Sequence, residues 1–213
     1  MQEASQSNFA PFTEEMRQTH TILIPGMLPL HFSLLKAALS SCGYKAEILQ
    51  NTSRDVVETG LKYVNNDICY PALLVIGQLL NALESGKYDL QKTALIITQT
   101  GGGCRASNYI YLLRKALEKA GLSQIPVISL NVNGLESQPG FHLNASMLRK
   151  FLAALIYGDA LMYLTNKIRP YEIVQGTADA LAQKWLGRLS DTFSSGKAQA
   201  MSSIKKLTKS IAN

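Results

Sequence analysis

Four short apolar runs, each closed by a turn signal, recur between Thr21 and Leu130. They are Thr21–Ile24, stopped by Pro25-Gly26; residues 46–49; Thr93–Thr98, which runs into Gly101-Gly102-Gly103; and residues 126–130. Continuous apolar runs of this length, without alternation, read as strands buried on both faces. Helical patterns lie between and after them. One opens at Pro29, carries Phe32, Leu35 and Leu39, and closes at Gly43. A short one is expected near residues 56–63. Another opens at Pro71, carries Leu73, Ile76, Leu80 and Leu83, and stops at Ser85-Gly86. A fourth runs from about residue 107 to 120 and is stopped by Gly121. Alternation of this kind predicts a parallel sheet covered on both faces, because parallel neighbours need a crossover and a helix supplies it.

After Gly140 the pattern changes. Residues 146–165 read as one long apolar helix ended by Pro170, and residues 178–189, with Trp185, as a second. The expected organisation is an irregular lead-in over 1–18, an α/β domain over 19–140, a helical cap over 141–190 and a basic tail over 191–213. Composition agrees with a globular chain: 46% of the 213 residues are hydrophobic and 17% charged. The longest apolar stretch, residues 72–83, is broken by Gly77, Gln78 and Asn81 and is too short to span a bilayer. The first twenty residues hold Glu3, Glu14 and Glu15 and no apolar core, so no secretory signal is expected and the reading is cytoplasmic.

Charge is uneven. Up to Gly140, 11 basic residues face 11 acidic ones; beyond it the count is 10 against 4. The tail holds Lys197, Lys205, Lys206 and Lys209 with no acid after Thr192. That charge reads as a solvated helix face; no zinc-finger, helix-turn-helix or RNA-binding signature accompanies it, so nucleic acid is not the expected partner.

Two segments carry chemistry. Gln99-Thr-Gly-Gly-Gly-Cys-Arg-Ala-Ser-Asn-Tyr109 lies at the carboxyl end of a strand and opens a helix, the edge where doubly wound sheets bind ligands. Gly101, Gly102 and Gly103 let a bulky group approach the backbone. The helix start and Arg105 favour a thiolate at Cys104. The second segment, Asn65-Asn-Asp-Ile-Cys-Tyr-Pro71, sets Cys69 just ahead of a helix whose first turn holds Pro71. Asn65, Asn66 and Asp67 are candidates to cap that helix or to hydrogen-bond to sulfur. Taken alone, each segment has a plain reading, as a tight turn or as a capped helix with a small apolar cysteine. Together they bring two thiols to one sheet edge, which suits soft metal ligation. A phosphate-binding loop stays open beside this, although GGGCRAS lacks a Walker lysine and does not match GxGxxG. So does a non-catalytic interaction domain. His20, His31 and His142 are scattered, and His31 is expected at the surface or half-buried. Cys42, at a helix carboxyl end, is expected to pack. Neither GxSxG nor a paired-carboxylate arrangement is present.

The pair NNDICYP and ITQTGGGCRASNYI resembles the 2-hydroxyacyl-CoA dehydratase D-component family. It resembles more closely the internal domains of the long fused proteins related to acyl-CoA dehydratase activases. The flanking FTEEMRQTHTILIPGMLPLHF, PVISLNVNGLE and ALIYGDALMYLTNKIRPYE extend the resemblance over roughly residues 12–190. It implies a Rossmann/flavodoxin-like α/β fold, a four-stranded parallel sheet with helices on both faces, plus C-terminal helices. It also implies an iron–sulfur cluster, [4Fe-4S] or double-cubane, with Cys69 and Cys104 as ligands. Around it would stand Asn65, Asn66, Asp67, Gly101, Gly102, Gly103, Arg105 and Asn108. The implied role is low-potential electron transfer or radical dehydration of an acyl-CoA. Implied partners are an ATP-hydrolysing activator or other domains of a larger fused chain. Members of that family use three cysteines per cluster; here two occupy motif positions, so the isolated chain would lack a full ligand set. A homodimer would supply four.

Overall fold

The computed structural model describes residues 9–65, 67–98, 104–130 and 138–194. The chain forms two compact units. One comprises residues up to Gly26 together with 45–142; the other comprises 27–44 and the residues from 143 onward.

The first unit is built on a four-stranded, all-parallel sheet of the Rossmann/flavodoxin type. Strands β1 (Thr21–Ile24), β2 (Lys45–Ile48), β3 (Thr93–Thr98) and β4 (Val127–Leu130) stand in the order β2-β1-β3-β4. Ile22 lies opposite Ala46 on one side and Ala94 on the other, and Ile96 lies opposite Ile128. Consecutive residues Ile22, Leu23 and Ile24, and Ala94 to Ile97, are all buried, so the central strands are covered on both faces. The strand order reverses between β1 and β3, and their carboxyl ends flank the position where such sheets take ligands.

The helices α3 (Arg54–Tyr63), α4 (Tyr70–Glu84) and α5 (Tyr109–Lys119) complete this unit. Helices α3 and α4 meet at backbone distance. A Cβ on Gly77 would stand 2.2 Å from the Val56 carbonyl oxygen, and one on Gly60 would stand 2.7 Å from that of Leu73. This contact fixes α4, and with it the cysteine at its start. Gly86 and Gly121 follow α4 and α5 at φ 72°, the left-handed conformation that stops a helix cheaply only at glycine.

The lead-in is more ordered than its polarity suggests. Helix α1 (Glu14–Thr19) begins with Thr13, whose hydroxyl accepts from the Met16 N–H at 3.4 Å. Phe12 is fully buried, and its backbone bonds Gln138 Oε1 and the Gly140 N–H, each at 2.7 Å. One aromatic anchor among polar neighbours leaves no periodic signal. Residues 1–8 and the tail from 195 onward lie outside the described residues.

The second unit consists of α2 (Pro29–Ser41), α6 (Ala145–Ile168) and α7 (Thr177–Ser194). The sequence pattern groups α2 with the sheet; the structure groups it with α6 and α7. Their shared core holds Leu34, Ala38, Ala154, Tyr157, Leu161, Trp185, Leu189 and Phe193. Alanines at the α2–α6 contact allow close approach, and Tyr157 meets Phe193 edge-on at 6.1 Å. Pro170 ends α6 as expected, through a 3-10 turn over Arg169–Tyr171. Helix α7 then starts on Glu172, whose carboxylate accepts from the N–H groups of Gly176 (2.6 Å) and Ala178 (2.9 Å). Those bonds hold the Glu172 carboxyl below the usual carboxylate range. Leu148, Leu152, Leu155, Ile156 and Tyr163 line an exposed apolar face of α6.

Among the described residues, no helix is long and apolar enough to cross a membrane.

Candidate functional site

Cys69 is the N-cap of α4, and no side chain caps that helix. Pro71 contributes no N–H, and the Ala72 and Leu73 N–H groups bond the Cys69 carbonyl at 3.0 and 3.2 Å. Those donors are therefore engaged by the cysteine's own backbone instead of its sulfur. The sulfur's neighbour is a phenol: Cys69 Sγ lies 3.6 Å from Tyr109 Oη. Tyr109 is the first residue of α5, so the contact joins the starts of the two helices that flank β3.

Cys104 stands five residues before Tyr109 and is exposed. Its carbonyl accepts from the Ser107 N–H (3.1 Å) and hydroxyl (2.7 Å), which pins the turn into the 3-10 segment Arg105–Asn108. The Tyr109 phenol is pushed up to about 12, first by burial, then by its bond to Cys69 and by the charges of Cys69 and Cys104. A phenol held protonated to that pH is a standing hydrogen-bond donor to a thiolate. One motif cysteine thus touches the tyrosine that the other precedes by five residues. Tyr109 closes the glycine–cysteine motif, and its place as the first helical residue after Cys104 is the signal for it in the sequence.

The loops at this edge are tied by a buried amide. Gln78 of α4 accepts from the Gly26 N–H at 2.8 Å and donates to the Asn51 carbonyl at 2.8 Å. Asn51 in turn donates to the Gln78 carbonyl (3.1 Å) and to Asn81 Oδ1 (2.8 Å). One helix thereby holds the segments following β1 and β2. In the sequence Gln78 and Asn81 only interrupt an apolar stretch. Their role needs the partners, which lie 22 or more residues away.

The remaining candidates separate. Asn65 and Asp67 are exposed, and Asn65 lines an open groove of about 800 Å³ with Tyr63, Lys115 and Lys119. The Asn65 carbonyl accepts from the Ile68 N–H at 3.1 Å, a turn that leads into Cys69. Asn108 is exposed at the N-cap of α5 and makes no side-chain cap bond. Asn66, Gly101, Gly102, Gly103 and the side chain of Arg105 lie outside the described residues. Among the described residues, no group of three or more His, Cys, Asp or Glu is placed to hold a metal ion. Cys42 is half-buried at the C-cap of α2, 3.9 Å from Lys150 Nζ.

His31 departs from expectation. It is 4% exposed, and its Nε2 lies 3.0 Å from Asp159 Oδ1. The reason is a glycine on the facing helix. A Cβ on Gly158 would stand 2.4 Å from the His31 ring, so α6 has room for an imidazole only because that Cβ is missing.

The chain matches no family model, no curated protein and no solved structure.

Proposed function

We propose that this chain contributes two thiolate ligands, Cys69 and Cys104, to an iron–sulfur cluster whose remaining ligands come from beyond its described residues. One observation carries the reading. Cys69 Sγ lies 3.6 Å from the buried Tyr109 phenol, and Cys104 stands five residues before that tyrosine, at the carboxyl edge of a parallel sheet.

The donor set suits the group in kind. Thiolates are the soft donors that iron–sulfur clusters take, and a protonated Tyr109 would hydrogen-bond to sulfur and raise the cluster's potential. In number it is half of what a four-iron cluster takes, so the reading includes a partner: a second copy, an activator or a further domain. A bound cluster would supply single electrons at low potential. The resemblance to 2-hydroxyacyl-CoA dehydratases and activase-related proteins makes radical dehydration of an acyl-CoA, or electron delivery to it, the reaction class proposed.

Anaerobic reconstitution with iron and sulfide tests this. The expected result is a broad visible absorption band with stoichiometric iron and sulfide and a shift to dimer mass. Cys69→Ser and Cys104→Ser should each abolish it, and Cys42→Ser should not. Retention of the full band in either motif variant would sink the ligand assignment.

A further inference from the structure

The helical unit holds a concave site that the cysteines do not use. Its volume is about 360 Å³, and its wall includes Leu28, His31, Met162, Arg169, Asp179 and Ala182. Four observations bear on what it takes.

First, the pocket lies at the start of α2, a 13-residue helix whose N-cap Leu28 offers no side-chain bond. Pro29 has no N–H, so the first-turn donors beside the pocket are those of Leu30 and His31. Second, Nε2 of the buried His31 lies 3.0 Å from Asp159 Oδ1; in the neutral ring that nitrogen carries the proton given to the carboxylate, and Nδ1 is the acceptor. Nδ1 has no hydrogen bond among the described residues. Third, Arg169 gives Nη1–H to Asn166 at 3.0 Å and Nη2–H to Asp179 at 2.6 Å. A guanidinium has five N–H donors, so three remain. Fourth, the two lining residues with full charges, Arg169 and Asp179, cancel. A net-neutral pocket with donors and acceptors on separate groups disfavours a dianion such as phosphate and suits a molecule carrying both charges.

We propose that this pocket binds a small zwitterion of amino-acid size with an apolar side chain. Its carboxylate takes the N–H groups of Arg169 and the α2 start. Its ammonium gives protons to Asp179 and His31 Nδ1. The side chain rests on Leu28, Met162 and Ala182.

The full chain titrated with L-leucine, L-leucinamide and 4-methylpentanoate tests this, by calorimetry and by the NMR shifts of the His31 ring. Leucine should saturate and move the ring signals, and both single-charge analogues should bind about tenfold more weakly. Arg169→Gln and Asp179→Asn should each weaken leucine by about tenfold. Both side chains are half-exposed, so helical circular dichroism should be unchanged. Three results would overturn the proposal. One is failure of leucine to saturate folded wild type. Another is equal affinity in either variant. The third is a 4-methylpentanoate affinity that matches leucine and rises in Asp179→Asn, which would make this a plain anion site.

Discussion

Helices α4 and α2 begin alike and end up doing opposite things with their first turns. Each has proline in that turn and no side-chain cap. Each carries a reactive side chain there, Cys69 at the N-cap of α4 and His31 at the third residue of α2. In the α/β unit the side chain stays partly open and leans on a neighbouring phenol. In the helical unit it is buried, its ring against a glycine and one nitrogen committed to a carboxylate. Local sequence sets up an electropositive, uncapped helix start in both cases. The chemistry that results depends on which neighbour the fold brings over it: Tyr109 keeps a proton available to sulfur, and Asp159 sets the imidazole tautomer.

If the parallel is right, the largest effects come from two glycines, one at the α3–α4 contact that fixes α4 and one facing the His31 ring. Gly77→Val drives a side chain into the Val56 backbone carbonyl, which cannot swing aside as a side chain can, and should cost about 3 kcal/mol or more in urea unfolding. The loss of the α3–α4 seam should also free Cys69 from Tyr109. Gly158→Ala pushes on a side chain and should cost less, about 1–3 kcal/mol. Its distinguishing mark is displacement of the His31 ring signals with those of α4 unchanged. Equal melting curves for wild type and both variants would break the comparison at its root.

Cys69→Ala has a smaller, more pointed effect. It removes the bond and charge that help lift the Tyr109 phenol to about 12, so its phenolate absorbance should appear closer to the ordinary 10.0. Burial, the largest cause, remains, so the return should be partial. The sign for stability follows from a folded value above the unfolded one. Tyr109 stabilises the fold fully below pH 10 and loses that contribution as pH rises toward 12. An unchanged phenol in the variant would mean that the cysteine does not act on it. Smallest is Glu172→Gln at the start of α7. The native carboxyl sits below its ordinary value, so its contribution is present above pH 4.5 and lost as pH falls through the folded value. The variant should flatten the acid limb of the unfolding profile and leave the neutral midpoint nearly unmoved.

Much of the fold was legible in the residues. Every strand was expected within a residue or so, since a buried parallel strand is a compact apolar run with turn signals at its ends. Helix α4 was legible from Pro71 to Gly86, and α6 from its apolar length and Pro170. What stayed hidden was non-periodic. Phe12 is one buried ring in a polar segment, and α1 is too short to announce itself. Gln78 looks like a flaw in an apolar stretch until Gly26 and Asn51 are beside it. Of the candidate site, the two cysteines are read from their place before helix starts, and the structure sets Cys69 Sγ 3.6 Å from Tyr109 Oη. Asn65 and Asp67, neighbours of Cys69 in the chain, point to solvent or to a separate groove.

The residues alone determine a parallel sheet, its helices and two thiols at its carboxyl edge, because strand burial, helix stops and turn chemistry act over a few neighbours. The fold decides which helices share a core and what faces each reactive group. Helix α2 follows a sheet strand in the chain yet packs with α6 and α7, because its alanine face matches theirs. His31 reads as a surface or half-buried residue until Gly158, 127 positions later, makes room for its ring and Asp159 pairs with its Nε2. Contacts of that separation leave no periodic trace in a sequence, since each side is an ordinary residue until packing brings the two together.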